Sequence, residues 1–365
     1  MIVLQVCSYA ADYPGNFIAS MEAVENALLR DGIKTIYAFP ALAAEKSWCK
    51  EIQKRTDVFF LPQAKARILP ETYQAFREIY RQFDVGIVHS HFELYDIPAT
   101  ITAKKSTVVF WHLHDPIQIK ANMRGLLWRI QYGIVGRRAQ LLAVSDYYRK
   151  LVVSLGFPEK SSRVILNGID LERIHFTTKK TILYDFLTFG WDFYRKGDDL
   201  ILRACERLAA EGYQFKLLLN GNDLTWVELD KFYPKGFPSW LVLGNPVKDV
   251  NQLFEASRFF IQASRRETFS YAVCEAAYAG LPVICSDIAG LEWAKELPLV
   301  SFFPSDSIEQ LYALMKDHLQ MKSVLPDAVD STRKVIEASF STFAWADTIK
   351  AAYAEFVPMA SSESN

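Results

Sequence analysis

Short apolar runs alternate with longer amphipathic segments along the whole chain, and this alternation predicts an α/β fold. Runs of this length are typical of buried strands, and the segments between them are long enough to form helices. In the first half, the predicted strands are residues 2–7, 35–39, 85–89, 108–111, 141–144 and 164–166. In the second half, they are residues 181–189, 215–219, 241–243, 259–262 and 283–285. Regular alternation of strands and helices favours parallel sheets.

The alternation pauses near residues 167–176 and then restarts, which predicts two doubly wound units in tandem. Such sheets bind ligands at the carboxyl ends of their strands, so two facing units are expected to form a cleft between them. One further amphipathic helix is predicted over residues 340–356, followed by a frayed tail over residues 359–365.

The composition fits two well-filled cores. Half of the 365 residues are hydrophobic and 14% are aromatic, which excludes a disordered chain. A formal net charge of −1 argues against a nucleic-acid partner, although residues 1–172 carry 21 Lys/Arg against 17 Asp/Glu. The five cysteines are scattered, which indicates buried free thiols in a reducing compartment. No signal peptide and no run of ~20 apolar residues is visible, so a cytoplasmic location is predicted.

The strongest candidate chemistry lies in residues 264–292. Glu267 and Glu275 are eight positions apart, and an apolar helix is predicted to begin at Ser270 between them. Glu275 then lies inside the helix, and Glu267 lies in the loop before it. The free N–H groups of a helix N-terminus bind anions, and carboxylates beside them accept hydrogen bonds from sugar hydroxyls. This pattern indicates a nucleotide-sugar site; the alternative is two glutamates on a solvated helix edge.

The loop after the first predicted strand contains Gly15 and Asn16 and leads into an apolar helix over residues 17–30. A strand, a glycine turn and a helix N-terminus allow a phosphate to approach the backbone. A single glycine is not the G-x-G-x-x-G fingerprint, which weakens an NAD or FAD interpretation. A donor-binding turn and a simple tight turn both remain open here.

Four histidines form two pairs, each at the end of a predicted strand: His89 with His91, and His112 with His114. Paired histidines are typical of metal sites, yet no carboxylate or third ligand stands at a supporting spacing. We therefore predict no metal ion. For His89, His91 and His112, a hydrogen-bonded structural role is the main alternative to a functional one.

Residues 117–138 hold five Lys/Arg, no acidic residue, and large apolar side chains such as Trp128 and Ile130. This mixture suits an amphipathic helix at the inner surface of a membrane. A helix half-buried against its own domain produces a similar pattern, so both interpretations stay open.

Several of these segments resemble the family-four retaining glycosyltransferases (glycosyl transferases group 1), and the resemblance extends along nearly the whole chain. The spacing of Glu267 and Glu275 matches the family's E-x₇-E signature, and VHSHF resembles its D-V-V-H-x-H segment. Residues 141–170 closely match its V-S…V-I-x-N-G-I-D sequence, and Lys196-Gly197 matches the Lys-Gly that opens a helix.

The resemblance implies a role for each matching residue. Glu267 would hold hydroxyls of the donor sugar, Glu275 would hold the ribose, and Lys196 would bind the diphosphate. His114 would approach the sugar near the reacting carbon through ring and backbone contacts. The further donor-binding residues implied in this way are Gly15, Asn16, Arg195, Pro246, Val247, Thr268, Phe269 and Ser270.

One departure from the family's pattern concerns the phosphate grip. The position where the family has an arginine holds Trp191, so one cation is missing from its expected place. Arg195, Arg265 and Arg266 are three candidates to replace it. The loss of a charged contact to the leaving group would cost a few kcal/mol, which puts the phosphate grip in doubt.

The resemblance also implies the GT-B fold, in which two Rossmann-like doubly wound domains face each other across a cleft. Residues 1–168 would form the acceptor-side domain, 169–338 the nucleotide-sugar domain, and 339–365 a crossover helix and frayed tail. The implied activity is a retaining hexosyltransferase that needs no cofactor and, since no D-x-D motif is present, no metal. It would move a sugar from a nucleotide-diphosphate donor to a saccharide or polyprenyl-linked acceptor in bacterial surface-polysaccharide synthesis.

Two alternatives come from other classes of protein. Trp191 motivates a catalytically silent subunit that binds a nucleotide-sugar and assists another glycosyltransferase. An epimerase that acts on the nucleotide-sugar itself would share the fold and would need no acceptor.

Overall fold

Two parallel β-sheets organise the chain, one in each of two units. A computed structural model describes residues 1–115, 123–176, 181–321 and 325–357. Unit 1 comprises Met1–Asp170 and Phe340–Asn365, and unit 2 comprises Leu171–Ser339. The predicted tail at residues 359–365 and the start of the predicted interfacial segment, residues 117–122, lie outside the described residues.

Unit 1 contains seven parallel strands in the order β3-β2-β1-β4-β5-β6-β7. They are β1 (Ile2–Cys7), β2 (Lys34–Pro40), β3 (Val58–Leu61), β4 (Val85–His91), β5 (Val108–Leu113), β6 (Ala139–Ala143) and β7 (Ser162–Val164). The helices are α1 (Gly15–Leu29), α2 (Ser47–Gln53), α3 (Pro70–Gln82), α4 (Asp96–Thr102), α5 (Met123–Gly133) and α6 (Asp146–Ser154). The central strands are apolar on both faces because helices cover both sides of the sheet.

Unit 2 contains six parallel strands in the order β10-β9-β8-β11-β12-β13. They are β8 (Tyr184–Gly190), β9 (Leu217–Gly221), β10 (Leu241–Gly244), β11 (Ser257–Gln262), β12 (Val283–Asp287) and β13 (Val300–Pro304). The helices are α7 (Phe193–Lys196), α8 (Asp198–Ala210), α9 (Asp223–Phe232), α10 (Asn251–Glu255), α11 (Tyr271–Tyr278), α12 (Ile308–Gln320) and α13 (Pro326–Phe340). The predicted α/β class with two Rossmann-like doubly wound domains is confirmed.

The C-terminal helix α14 (Thr342–Ala354) belongs to unit 1. Ser341 caps it by accepting a hydrogen bond from the backbone N–H of Ala344 at 3.1 Å. The predicted helix over residues 340–356 therefore starts two residues too early, because α13 ends at Phe340. Trp345, Ile349 and Tyr353 of α14 share one hydrophobic core with α1 and β1.

Two strands were not predicted, and both lie at sheet edges. In β3 three of the four residues are only partly buried, and β13 is likewise mostly part-exposed. Edge strands face fewer neighbours, so their apolar runs are shorter and their pattern is weaker. The strand predicted at residues 164–166 lies slightly earlier, at β7.

The prediction of buried free cysteines is confirmed for all five. Ser145 caps α6 by accepting a hydrogen bond from the backbone N–H of Tyr148. Within the described ranges, no helix combines the length and the apolar character needed to cross a membrane.

Candidate functional site

Residues predicted to bind the donor meet in unit 2 at the point where the strand order reverses. Strands β8 and β11 are neighbours there, while their connecting helices run to opposite faces of the sheet. A crevice opens at such a switch point, outside the carboxyl ends of the strands. The short helix α7, which follows β8, supplies Arg195 and Lys196, and the loop after β11 supplies Glu267.

A buried ion pair forms the centre of this site. Lys196 Nζ lies 2.7 Å from Glu267 Oε1, and each side chain is only about one-tenth exposed, at 13% and 10%. Arg195 Nη1 lies 3.4 Å from the same oxygen. Arg195 Nε also lies 2.9 Å from Asp192 Oδ2, so two cations and two carboxylates meet here. Lys196 and Arg195 are charged donors of the kind that bind an anionic ligand such as a diphosphate.

Two neutral side chains also hold Glu267 Oε1, and sequence reasoning did not find them. Ser264 Oγ donates to it at 2.9 Å, and Gln262 Nε2 donates at 3.2 Å. Among the described residues, no side chain or backbone group bonds the second oxygen, Oε2. Glu267 is thus fixed through one oxygen and presents the other as a hydrogen-bond acceptor. The alternation of Gln262 and Ser264 at the strand end was the available signal.

The structure distinguishes the candidates for the missing cation. Arg265 makes a two-pronged ion pair with Asp199, at 2.7 and 2.9 Å, and its Nε lies 2.6 Å from Asp306. These contacts commit its guanidinium to the packing of α8. Arg195 also pairs with an aspartate, Asp192, at 2.9 Å, but its Nη1 lies 3.4 Å from Glu267, while Trp191 is 42% exposed. Of these two candidates, Arg195 is the one in the site.

The N-terminus of α11 borders the ion pair. Ser270 is its N-cap residue and adopts a left-handed backbone conformation with φ +62°. Its hydroxyl is buried and has no hydrogen-bond partner among the described residues. A non-glycine residue in this conformation costs on the order of 1 kcal/mol, and such strain clusters at binding sites. Ser270 therefore offers an unused donor beside the free N–H groups of the helix.

The other predicted residues of this loop are placed around the helix start. Phe269 is buried and stacks on Trp293 at 4.6 Å, and its carbonyl accepts a 2.8 Å hydrogen bond from Trp293 Nε1. Thr268 is partly buried, and Glu275 is buried within α11. Trp293, which sequence reasoning missed, thus anchors the loop between the two glutamates.

Two glycines allow the backbones to meet here. A Cβ atom on Gly197 would lie 2.1 Å from the carbonyl oxygen of Ala263, and Gly197 has φ +74°. A Cβ on Gly290, in the 3₁₀ helix Ala289–Glu296, would lie 1.9 Å from the carbonyl oxygen of Glu267. Only glycine fits at such distances, so Gly197 positions Lys196 and Gly290 positions Glu267.

Pro246 and Val247 lie in the loop after β10, at the same edge of the sheet. Pro246 is exposed and Val247 is partly buried. Asn220, at the end of β9, fixes the start of this loop by donating to the carbonyl of Asn245 at 2.5 Å.

In unit 1, Gly15 and Asn16 form the start of α1 after β1. Gly15 has φ +57°, so the turn requires the glycine. Asn16 is buried, and its Oδ1 accepts a 3.0 Å hydrogen bond from the backbone N–H of Asp170. The Asn16 side chain therefore connects α1 to Asp170, where the first segment of unit 1 ends.

His114 follows β5 and is buried. Its Nε2 lies 2.9 Å from His91 Nδ1, and its Nδ1 lies 2.9 Å from Asn167 Oδ1. Burial lowers the pKa of His114 to about 4, so the ring is neutral near pH 7. Both ring nitrogens are occupied, which leaves the ring edge and the backbone for contact with a ligand.

The remaining histidines of the two pairs pack beside His114. Nitrogen atoms of His89, His91 and His112 lie within 4.8 Å of one another, a spacing that invites comparison with a metal site. However, both nitrogens of His91 already make hydrogen bonds, to Gln5 and His114. The rings of His89 and His91 also stack at 4.0 Å. The arrangement is a stack of neutral rings that is hydrogen-bonded in part, since His89 Nε2 and both nitrogens of His112 have no hydrogen-bond partner among the described residues.

These features place a carboxylate, two cations and a helix N-terminus together on a double Rossmann fold, and two family models of glycosyltransferases match the chain. Residues 22–173 match the family model of Glycosyltransferase Family 4, and residues 184–319 match that of Glycosyl transferases group 1. Between them the two matches cover most of the chain. The chain therefore belongs to the GT-B glycosyltransferases that combine a Glycosyltransferase Family 4 segment with a Glycosyl transferases group 1 segment.

Solved structures share the fold at low sequence identity. A glycosyltransferase from Rickettsia africae superposes with a TM-score of 0.79 at 15% identity, covering 98% of each chain. Anabaena HepE in complex with UDP gives 0.77 at 14% identity, covering 97% of this chain and 100% of that one. Sucrose-phosphate synthase from Thermosynechococcus elongatus gives 0.74 at 16% identity, covering 97% and 99%. No curated protein matches the sequence significantly.

Proposed function

We propose that the protein is a retaining, metal-independent hexosyltransferase. It transfers a hexose-class sugar from a nucleotide-diphosphate donor to a saccharide or polyprenyl-linked acceptor, in surface-polysaccharide synthesis at the cytoplasmic face of a membrane. One observation carries the proposal: Glu267 is held through one oxygen by Lys196 and presents the other beside the N-terminus of α11. The structurally similar HepE was solved with UDP-glucose, which supports a nucleotide-sugar donor.

Each residue of the site has a part in this proposal. Glu267 Oε2 accepts a hydrogen bond from a hydroxyl of the donor sugar, and the Glu275 carboxylate accepts hydrogen bonds from the ribose hydroxyls. The acceptor hydroxyl oxygen forms a bond to the anomeric carbon on the face from which the diphosphate departs. The bond between that carbon and the diphosphate oxygen breaks with both electrons going to the diphosphate, which also takes up the proton of the acceptor hydroxyl. Lys196, Arg195 and the N–H groups of α11 stabilise that growing negative charge, so no metal ion is needed. Pro246 and Val247 border the base.

The silent-subunit alternative rests on the arginine that is missing at Trp191. Arg195 places a guanidinium beside Glu267, which argues against this alternative. The epimerase alternative needs no acceptor, so product analysis separates it from transfer.

A thermal-shift panel is the first experiment. UDP, GDP, ADP and CDP and their common sugars are tested with and without magnesium, since a ligand that binds only the folded chain raises the melting temperature. We expect a shift with one base, independent of magnesium. No shift with any nucleotide would contradict the proposal.

Turnover of the donor so identified then tests the residues. Lys196→Ala and Glu267→Ala should each lower kcat at least ~100-fold, as expected for lost charge stabilisation. Lys231→Ala is the matched control, because Lys231 also pairs with a glutamate at 2.7 Å in unit 2, on the exposed surface of α9. Unchanged turnover in the first two variants would exclude the transferase mechanism.

A further inference from the structure

A continuous chain of buried hydrogen bonds connects the C-terminal helix to His114 within unit 1. Tyr353 Oη on α14 lies 2.6 Å from His89 Nδ1 and 3.2 Å from Gln5 Nε2 on β1. Gln5 Oε1 lies 3.0 Å from His91 Nε2 on β4, and His91 Nδ1 lies 2.9 Å from His114 Nε2. The chain ends at Asn167, 2.9 Å from His114 Nδ1.

The members come from distant parts of the sequence and are all buried. Gln5, His91 and Tyr353 are fully inaccessible, and 348 positions separate Gln5 from Tyr353. Buried polar groups need partners, so a stack of hydrogen-bonded imidazoles is costly to assemble unless every link is made. A purely apolar core would fill the same space at lower cost.

Proton counting shows that the links depend on one another. A neutral imidazole has one N–H and one bare nitrogen, so each histidine donates at one end and accepts at the other. In one arrangement every hydrogen bond runs from Asn167 towards His89, and His114 carries its proton on Nε2. In the other arrangement every bond is reversed, and His114 carries its proton on Nδ1. The amides of Gln5 and Asn167 rotate by 180° between the two.

We propose that Gln5, His91 and Tyr353 are positioning residues, which hold His114 in one tautomer and one ring orientation. This inference rests on the proposed function together with the role that the family resemblance implies for His114, which is to contact the donor sugar through ring and backbone. Gln5 Nε2 donates to the Tyr353 hydroxyl, so Gln5 Oε1 faces His91 and accepts a hydrogen bond from its Nε2. His91 Nδ1 then has no proton, and His114 donates to it through Nε2. The C-terminal helix thereby controls a residue of the proposed site.

The first test follows His114 directly and needs no activity. Imidazole ¹⁵N shifts distinguish the two tautomers, and the chain has six histidines, so the His114 signals can be assigned by comparison with His114→Gln. We expect a single tautomer in the unaltered protein and changed shifts at both His114 nitrogens in Tyr353→Phe. Tyr37→Phe is the matched control. It removes a buried hydroxyl from the same core, where Tyr37 bonds Glu25 and not the chain. Equal His114 shifts in Tyr353→Phe and Tyr37→Phe would overturn the proposal.

The second test uses turnover. Tyr353→Phe should lower kcat roughly ten-fold with the donor KM within about two-fold, because a small misplacement of a positioned group slows the chemical step. Its kcat should also fall as pH drops below about 6.5, since a loosened His114 regains an ordinary pKa. Tyr37→Phe should change none of these quantities.

Two substitutions at His91 separate positioning from folding. Asn places an amide nitrogen close to the site of Nδ1 and can still bond His114, whereas Leu fills the space without a polar atom. We expect His91→Asn to retain several-fold more kcat than His91→Leu at equal melting temperature. Equal kcat in the two variants would overturn the positioning role. If the His114 shifts respond but no nucleotide-sugar is turned over by the unaltered protein, the proposed function fails and the hydrogen-bond chain stands.

Discussion

At the scale of single residues, the site combines charges that face the ligand with polar atoms that fix those charges. Ser270 is a polar residue of the site whose backbone conformation is unfavourable for a serine. Its left-handed conformation favours glycine, and its buried hydroxyl has no partner among the described residues. Strain and an unused donor at the same residue indicate that the hydroxyl serves a ligand.

Two substitutions at Ser270 test this interpretation. Ser270→Gly relieves the strain and Ser270→Ala keeps it, so the Gly variant should be more stable, by on the order of 1 kcal/mol. Both variants lose the hydroxyl and should bind the nucleotide diphosphate about ten-fold or more weakly, as expected for a hydrogen bond to a charged group. Calorimetric affinity and melting temperature measure the two effects separately. If both variants bind the nucleotide diphosphate as tightly as the unaltered protein, the Ser270 hydroxyl does not contribute to binding.

At the scale of elements, the 3₁₀ helix Ala289–Glu296 packs its backbone directly against the loop that carries Glu267. A methyl group on Gly290 would overlap the Glu267 carbonyl, so Gly290→Ala must push that loop away from Lys196. We expect loss of most nucleotide-sugar turnover while the fold persists, as measured by kcat/KM and circular dichroism. Gly212→Ala serves as the control for a glycine substitution in unit 2, because no atom lies within 4 Å of its added Cβ, although Gly212, unlike Gly290, has a positive φ. Equal losses of turnover in both variants would mean that the position of Glu267 is not the cause.

The helix α5 has two distinct faces. Tyr132 donates to Glu93 at 2.8 Å and Trp128 lies under the guanidinium of Arg67, so one face is anchored in unit 1. The opposite face exposes the aliphatic side chains of Leu126, Leu127, Ile130 and Ile134. A helix that is half-buried against its own domain can therefore also present an apolar face to a membrane surface, so the two interpretations drawn from the sequence are compatible.

A membrane-binding role for α5 can be measured with vesicles. Replacing Leu126 and Leu127 by Asn should reduce co-sedimentation with vesicles of anionic phospholipid several-fold, because each buried leucine contributes about 1.5–3 kcal/mol. Asn substitutions at Leu224 and Val227, exposed apolar residues of α9, are the control and should have no effect. If the unaltered protein and the Leu126/Leu127 variant bind the vesicles equally, α5 does not contact the membrane.

The sequence was a good guide to elements with strong patterns and a weaker guide to contacts between them. The Glu267–Glu275 spacing, the helix start at Ser270 and most central strands were predicted because periodicity and turn residues encode them locally. Gly290 and Trp293 were missed because their roles depend on contacts with residues more than twenty positions away, Glu267 and Phe269. Ser264 bonds Glu267 only three residues away, and its alternation with Gln262 was a local signal that sequence reasoning did not use. The choice of Arg195 over Arg265 likewise needed the structure, because Arg265 forms ion pairs with Asp199 and Asp306 that are brought together only in the folded chain.

At the scale of the whole molecule, buried titratable groups of two kinds set the pH range of stability. Burial lowers the pKa of His114 to about 4 and those of His89, His91 and His112 well below 6.5. Burial raises the pKa of three carboxyl groups instead: to about 7 for Glu93, and to about 8 for Asp96 and Asp198. The two kinds of group act in opposite directions.

The sign of each effect follows from which state binds more protons. The depressed imidazole pKa values stabilise the fold above pH 6.5, and this contribution is lost as pH falls towards 4. The raised carboxyl pKa values stabilise it at low pH, and this contribution is lost as pH rises through 7 to 8. Each unmatched proton changes the free energy of unfolding by about 1.4 kcal/mol per pH unit. In unit 1, four imidazoles outweigh Glu93 and Asp96, so we predict acid lability there and a stability maximum near pH 6.5.

Denaturant unfolding between pH 4.5 and 8.5 measures both limbs of this profile. Asp198→Asn should flatten the alkaline limb, because the amide keeps the shape of the buried side chain and cannot ionise. Asp230→Asn, on the exposed surface of α9, is the control and should leave both limbs unchanged. His112→Phe should flatten the acid limb, since a stacked ring remains against Trp345 while one titrating group is removed. A free energy of unfolding that stays constant from pH 4.5 to 6.5 would mean that the buried imidazoles gain access to protons without unfolding of unit 1.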